Sequence, residues 1–240
     1  MNGWFYILLI AFPLTGGLIG YYANLSRQIN IKLLLGFAGA YLLSVVLFHL
    51  IPHIYSEANV LSGGLLLGGF FFQVFLEKFS RGVEHGHLHI HTHGKKNKLI
   101  PYEILISLSL HSFMEGMPLG SGLLGDERSE LSFLFGIVSH ELPAAFAMVS
   151  ILKSSGLKPK LLQWFIVVYA CMSAFGAGVS TLLKGNVDEH VFEYIMAFVV
   201  GTFLHIATTI LFENSEEHRF SRNKIIAIAA GILLAVLVSF

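Results

Sequence analysis

The sequence has little charge, almost no cysteine and no excess of either charge sign. Only 12% of its 240 residues are Asp, Glu, Lys or Arg, well under the roughly 25% that is usual in soluble domains. The 15 basic residues are balanced by 15 acidic ones, so the composition gives no excess of positive charge with which to bind a nucleic-acid backbone. The single cysteine, Cys171, excludes a disulfide scaffold and a thiolate metal cluster. The low charge excludes an ordinary soluble enzyme and a disordered chain.

Apolar residues, in contrast, make up 55% of the chain and are concentrated in eight continuous runs. Each run approaches the roughly 20 residues that a helix needs to cross a bilayer. The runs lack strand-like alternation, and unpaired backbone groups are too costly in lipid, so we expect helices. The sequence predicts an all-α integral membrane protein with eight transmembrane helices, at approximately 4–23, 32–55, 61–79, 100–123, 131–152, 161–183, 191–212 and 224–240.

The basic residues predict how these spans are oriented. Every Lys and Arg except Arg128 and Lys184 lies in or beside the loops that follow the first, third, fifth and seventh spans. The positive-inside rule places those loops in the cytoplasm and both termini outside it. We therefore expect a single transmembrane domain over 1–240 in a plasma or inner cell membrane. We expect residues 81–98 to form its cytoplasmic His-rich loop.

Four ionisable residues near the middle of the fourth and fifth spans are the candidate site. His111 and Glu115 are spaced i, i+4 and share one helix face, and His140-Glu141 lies in the next span. In an antiparallel pair they would meet near the midplane, where each costs about 2.5–3.5 kcal/mol on insertion scales. A divalent metal can neutralise them, because two imidazoles and two carboxylates together carry two negative charges. The alternative is a buried polar network without a metal.

This donor set predicts one tightly bound ion. Imidazole and carboxylate suit zinc, iron, manganese or cobalt better than Cu(I). We expect His111, Glu115, His140 and Glu141 to complete four-coordination around one zinc, with Ser112 or a water nearby. A second ion would leave uncompensated positive charge in a low-dielectric site. The competing interpretation is a weaker second site completed by Ser112 and bridging waters.

These motifs resemble those of the ZIP (Zrt/Irt-like) divalent-metal transporters. The resemblance rests on His111-x-x-x-Glu115-Gly116 in the fourth span and His140-Glu141-x-Pro143 in the fifth. The eight spans, the outside termini and the His-rich loop agree with it. So do two shorter stretches, His49-Leu50-Ile51-Pro52-His53 and Gly201-Thr202-Phe203-Leu204.

The resemblance implies uptake of a divalent metal into the cytoplasm, with an elevator-like movement of the metal-carrying spans. It matches one metal site to His111, Glu115 and His140, and a second to Ser112, Glu115 and Glu141, with Glu115 bridging. The chain departs from the family pattern at Ala144, where another ligand is common, and at Ser112, where asparagine is frequent.

The remaining histidines suggest further metal contacts along a path. His49 and His53 are spaced i, i+4 near the outer end of the second span and predict a way-station at the entrance. His205, in the inner half of the seventh span, is expected to line the exit. Each could instead be a core histidine. A histidine-rich stretch in the 81–98 loop predicts metal capture after transport, the alternative being a solvated linker. Its histidines are His85, His87, His89, His91 and His93.

Transport by alternating access is the leading functional hypothesis, and we do not expect an enzyme. Zinc is the expected substrate, with Fe²⁺, Mn²⁺, Co²⁺ and Cd²⁺ as further candidates; no nucleotide or nucleic-acid partner is expected. The alternative is an intramembrane zinc-dependent hydrolase, in which His111, His140 and one glutamate hold zinc and the other glutamate is the base. A haem-binding electron carrier is disfavoured, because His49 and His53 are only one turn apart. The oligomeric state is left open, with a homodimer among the candidates.

Overall fold

The computed structural model describes residues 2–22, 31–56, 60–83, 100–213 and 222–239. Within these ranges the chain forms eight helices. In chain order, α1 is Gly3–Tyr22, α2 is 31–56, α3 is Val60–Ser80, α4 is Ile100–Ser121, α5 is Glu127–Ser154, α6 is Pro159–Leu183, α7 is Glu189–Glu213 and α8 is Arg222–Ser239. The second of these is interrupted by a π-helical turn at Val46–Leu50. The predicted fold, all-α with eight helices at the predicted places, is confirmed.

Six of the described helices are long and apolar enough to cross a membrane by themselves, namely α1, α2, α3, α5, α6 and α7. The helix α4 is less apolar because it carries Glu103, His111, Glu115 and several buried serines. These polar residues lower the mean hydropathy of α4, but its 22 residues are still long enough to span a membrane. The chain is therefore a multi-pass membrane protein. The predicted orientation of its termini stays a prediction.

The helices pack into two groups. The helix α1 packs against α5 and α6, and α4 packs most extensively against α6, so α1, α4, α5 and α6 form the first group. In the second group α3 pairs with α7, and α2 packs against α8 and α7. The groups meet mainly where α2 contacts α5 and where α3 contacts α4. The candidate site lies on α4 and α5, on the side of the first group that faces α3.

Candidate metal centre

Glycines bring α4 and α6 into backbone contact beside the ionisable residues. A Cβ on Gly116 would overlap the carbonyl oxygen of Ser173, and one on Gly176 would overlap a backbone carbonyl of α4. Only small residues permit two helices to approach so closely in a membrane. The contact places the hydroxyl of Ser173 next to Ser112 and Glu141.

A cluster of three buried side chains lies between α4 and α5. Nε2 of His140 is 2.8 Å from Oε1 of Glu115, and Nε2 of His111 is 3.3 Å from the same oxygen. All three side chains are at most 1% exposed. Among the described residues they form the group whose ligand atoms lie within 4.8 Å of one another. The i, i+4 pair of α4 and the histidine of α5 therefore meet, as their spacing led us to expect.

The imidazole of His140 is oriented by the backbone of its own helix. Its Nδ1 lies 3.3 Å from the carbonyl oxygen of Gly136. A carbonyl can only accept a hydrogen bond, so this nitrogen carries the proton. In a neutral imidazole Nε2 then points a lone pair at Oε1 of Glu115, 2.8 Å away. Two such electron-pair donors repel each other unless a proton or a metal cation lies between them.

Gln73 of α3 contacts the other imidazole from the opposite helix group. Its side-chain nitrogen is 3.3 Å from Nδ1 of His111. Gln73 is fully buried, and its Oε1 has no hydrogen-bond partner among the described residues. When a metal occupies Nε2 of His111, Nδ1 must carry the proton, and a rotated Gln73 amide can accept it. Sequence reasoning missed Gln73, although a lone amide inside an apolar span is a readable signal.

The carboxylate of Glu115 is only partly satisfied by these neighbours. Glu115 is fully buried, and its Oε2 has no hydrogen-bond partner among the residues described. A buried ionised carboxylate is costly, by several kcal/mol, unless a counter-charge and hydrogen bonds compensate it. A cation held beside the two imidazoles would supply that counter-charge.

Glu141 faces different neighbours from the other three. The hydroxyl of Ser112 donates to its Oε1 at 2.6 Å, and the hydroxyl of Ser173 donates to its Oε2 at 3.0 Å. It is not part of the 4.8 Å group, although we expected it as a fourth ligand to the same ion. The reason is geometric: His140 and Glu141 are consecutive, so their side chains diverge by about 100° around the helix. Sequence reasoning also missed Ser173, since a serine in an apolar span gives little signal.

The other predicted histidines lie away from this cluster. His49 is half-buried in the π-helical turn of α2, and His53 is exposed. His205 is 7% exposed, and its Nε2 lies 2.7 Å from Oε2 of Glu77. Glu77 was not singled out from the sequence, although it follows Gln73 by one helical turn. The loop histidines His85, His87, His89, His91 and His93 lie outside the described residues.

The chain is similar in sequence to several known proteins, two of which are named zinc transporters below. The chain is 29% identical over 152 residues to Protein zntD of Dictyostelium discoideum, covering 59% of this chain and 22% of that protein. It is 28% identical over 128 residues to Zinc transporter ZIP1 of Danio rerio, covering 51% of this chain and 40% of that protein. With Zinc transporter ZIP4 of Homo sapiens it shares 26% identity over 110 residues, covering 46% of this chain and 17% of that protein.

The chain thus spans less than half the length of each of these three relatives. The family described as ZIP Zinc transporter matches residues 83–239, which is more than half of the chain. The matched range contains α4 and α5 with their buried histidines and glutamates. The chain belongs to the ZIP zinc transporter family.

Proposed function

We propose that this chain carries a divalent transition metal, with zinc as the main substrate, into the cytoplasm. The observation that carries the proposal is the buried meeting of His111, Glu115 and His140, whose facing donor atoms call for a cation. Imidazole and carboxylate suit Zn²⁺ well, and Fe²⁺, Mn²⁺, Co²⁺ and Cd²⁺ are the alternative substrates. The names of the ZIP1 and ZIP4 relatives, both called zinc transporters, support zinc.

The cluster suits an ion that must leave again. Structural zinc sites are usually closed by four protein ligands, whereas His111, Glu115 and His140 supply three and leave a position for water. Glu141, held by two serine hydroxyls, supplies the second negative charge nearby. We propose one tightly held ion at the three-residue cluster, with Ser112 and Glu141 in a supporting position.

The two helix groups offer a means of alternating access. We propose that the group of α1, α4, α5 and α6 moves, with the bound ion, against the group of α2, α3, α7 and α8. Isolated polar contacts cross between the groups. The hydroxyl of Ser107 donates to the carbonyl oxygen of Leu76 at 2.6 Å, and that of Tyr41 lies 2.7 Å from Oγ of Ser132. Single hydrogen bonds of this kind each contribute only about 0.5–1.5 kcal/mol net, so they can be exchanged during movement.

Histidines outside the cluster extend the proposed path. We propose that His49 and His53 attract the ion at the entrance. Asp126 is nearby: its pKa is lowered mainly by hydrogen bonds from Ser129, and a charge interaction with His49 adds a small part. His85, His87, His89, His91 and His93 would capture the released ion in the 81–98 loop. We propose that the chain lies as one transmembrane domain over 1–240 in a plasma or inner membrane, with a homodimer as one candidate assembly.

The hydrolase alternative uses the same three ligands and the same open position for water, so it differs from the transporter in needing a general base. Its general base would have to be the glutamate that does not bind zinc. Glu141 is already held by Ser112 and Ser173 and lies outside the 4.8 Å group. The transporter names of the relatives favour movement of the metal over its use in catalysis.

Uptake into proteoliposomes tests the proposal. Purified protein is reconstituted, and entry of Zn²⁺, Fe²⁺, Mn²⁺ and Cd²⁺ is followed with an indicator trapped inside. We expect saturable zinc entry that His140→Ala removes and that His190→Ala, an exposed histidine of α7, leaves unchanged. Zinc that binds to the protein without entering the vesicles, together with turnover of a lipid or peptide, would overturn transport in favour of hydrolysis.

A further inference from the structure

Three lysines lie exposed at one end of the first helix group. Lys153 is in the last turn of α5, Lys158 directly precedes α6, and Lys160 is in the first turn of α6. The charge pattern predicts that this end faces the cytoplasm. Cations do not stabilise the start of a helix, because the helix dipole is positive there. The stability of α6 therefore does not explain Lys158 and Lys160.

Carboxylates of the described residues do not balance this charge. The first turn of α6 has no acidic residue. Glu103, in the first turn of α4, is half-buried. Within the described ranges no ion pair joins a carboxylate to Lys158 or Lys160. These two ammonium groups therefore have no counter-charge from the part of the chain that the structure describes.

The exposed face of α6 indicates where these lysines lie in the bilayer. Trp164 follows Lys160 by about one helical turn and is 64% exposed. Exposed apolar side chains continue along the same face, namely those of Val167, Phe175 and Leu182. Apolar side chains of this kind contact the hydrocarbon, whereas tryptophan is enriched at the membrane–water interface. At a rise of 1.5 Å per residue Lys160 lies about 6 Å beyond Trp164, which is the level of the lipid headgroups.

The neighbouring end of α1 carries further aromatic side chains beside Lys153. Tyr22 is 75% exposed, and its ring packs edge-on against that of Tyr21 with centroids 5.0 Å apart. The ammonium group of Lys153 donates to the carbonyl oxygen of Tyr21 at 2.5 Å and lies 5.9 Å from the centre of its ring. Lys153 is thereby held between α5 and α1, next to aromatic side chains of the kind that lie at the headgroup level.

We propose that Lys153, Lys158 and Lys160, with Trp164 beside them, bind the headgroups of anionic phospholipids in the cytoplasmic leaflet. Charge complementarity selects these lipids, since the cytoplasmic leaflet carries anionic headgroups that attract basic side chains at its surface. A zwitterionic headgroup carries its own cation and gains less from the same lysines. The surface belongs to the helix group that we propose to move, but the inference does not rest on transport, because lipid binding is measured without it.

The fluorescence of Trp164 tests the proposal, because the chain has two tryptophans and Trp4→Phe leaves Trp164 as the single reporter. The full chain in detergent micelles is titrated with phosphatidylglycerol or phosphatidylcholine whose brominated acyl chains quench nearby tryptophan. One double variant, Lys158→Gln with Lys160→Gln, removes charge, and a second, Lys158→Arg with Lys160→Arg, keeps it. The matched control is Lys78→Gln with Arg81→Gln, which removes two exposed basic residues at the C-terminal end of α3 in the other helix group.

We expect half-quenching of Trp164 at a lower fraction of brominated phosphatidylglycerol than of brominated phosphatidylcholine. The Gln double variant should lose this preference, by about fivefold for each lysine removed, while its quenching by phosphatidylcholine stays the same. The Arg double variant and the α3 control should keep the preference. Raising NaCl from about 0.05 M to about 0.5 M should weaken it in the protein that retains its lysines, because salt screens exposed charges.

Lysines that serve only to orient the chain in the membrane give a different result. Trp164 would then be quenched equally by the two lipids, or the preference would survive in the Gln double variant, and either outcome overturns the lipid surface. An equal loss in the α3 control also overturns it, because the effect would then come from the overall charge of the protein. If the Gln double variant does not fold, the comparison of the two lipids and its salt dependence still decide. None of these outcomes bears on metal transport, so the proposed function stands or fails separately.

Discussion

At the scale of single residues, the proposed metal site depends on an oxygen shared by two imidazoles. Oε1 of Glu115 lies 2.8 Å from Nε2 of His140 and 3.3 Å from Nε2 of His111. The other ring nitrogen of His140, Nδ1, already donates its hydrogen to the backbone carbonyl of Gly136. This arrangement is the basis of the proposed metal site, because a cation beside the shared oxygen would be held by all three side chains.

Removing one ligand should stop transport without unfolding the protein. We predict that His111→Ala and Glu115→Ala each reduce zinc entry to the background of empty vesicles, because two remaining ligands hold the ion too weakly. Glu115→Ala should raise the unfolding temperature in detergent or leave it unchanged, since it removes a buried and partly unsatisfied carboxylate. Near-normal zinc entry in either variant, at equal amounts of reconstituted protein, would contradict the assignment of His111 and Glu115 as metal ligands.

Gln73 should act through His111 rather than on the metal itself. We predict that Gln73→Leu weakens zinc binding about 10-fold, as the loss of an orienting group does at other metal sites, because Nδ1 of His111 then lacks an acceptor. Gln73→Glu, which keeps an acceptor, should restore binding. Titration with zinc in detergent measures both variants, and equal affinity of Gln73→Leu and the unsubstituted protein would contradict the role.

At the scale of elements, the helix starts and ends follow local chemistry. Helix α5 begins after Asp126, whose carboxylate accepts from the backbone nitrogen of Ser129 at 2.9 Å and from its hydroxyl at 3.0 Å. This cap satisfies a backbone donor that the first turn leaves open. Because α5 carries His140 and Glu141, its start helps to fix the depth of the site.

The cap should make stability depend on pH in a defined direction. The backbone hydrogen bond from Ser129, followed by that from its hydroxyl, lowers the pKa of Asp126. A carboxyl group with a lowered folded-state pKa stabilises above its unfolded value and loses that effect as pH falls through the folded one. We predict that Asp126→Ala lowers the unfolding temperature at pH 7, and that this difference shrinks below the ordinary Asp pKa of about 3.9.

Thermal unfolding in detergent at several pH values measures this effect. Asp126→Asn is the matched control, because its amide oxygen keeps the cap without titrating. A difference between Asp126→Ala and the unsubstituted protein that stayed constant down to pH 3 would contradict the contribution of the carboxylate charge. An unchanged unfolding temperature of Asp126→Ala at pH 7 would contradict the capping role.

Much of the fold could be predicted from the sequence, because bilayer thickness and apolar runs determine where helices lie. The predicted span 161–183 and the observed helix Pro159–Leu183 nearly coincide. The longest helix, Glu127–Ser154, begins earlier than the predicted 131–152 because Asp126 caps a polar first turn. The π-helical turn at Val46–Leu50 could not be predicted, since nothing in Val-Leu-Phe-His-Leu distinguishes it from an α-helix.

Only part of the candidate site could be predicted from the sequence, because spacing within a helix is visible there and contacts between helices are not. Spacing within one helix predicted that His111 and Glu115 share a face, and a short connection brought His140 to them. The sequence alone does not show which distant helices contact each other, so Gln73 of α3 and Ser173 of α6 were missed. That the side chain of Glu141 points away from that of His140 could have been predicted, because consecutive residues lie about 100° apart around a helix.

At the scale of the whole molecule, the predicted orientation determines which way the metal moves. The α6–α7 connection contains Lys184 as its basic residue and is predicted to lie outside, whereas the α5–α6 connection, next to Lys153, Lys158 and Lys160, is predicted to lie in the cytoplasm. Asn186 and Ser155 are exposed in these two connections. They are suited to a labelling experiment, because Cys171 is the single cysteine and can be replaced.

We predict that Asn186→Cys reacts with a membrane-impermeant maleimide added to intact cells and that Ser155→Cys reacts only after the membrane is opened. Both substitutions are made in a Cys171→Ser background. The reverse pattern would invert the topology and turn the proposed uptake into export.

The most direct test of the central claim is the position of bound zinc in a crystal, measured by anomalous diffraction at the zinc edge. We predict one dominant peak surrounded by His111, Glu115 and His140, which His140→Ala removes. Two equally strong peaks about 3.5–4 Å apart, the spacing of two-metal sites, would contradict the single ion. Zinc bound elsewhere with no peak at these three residues would contradict the site itself.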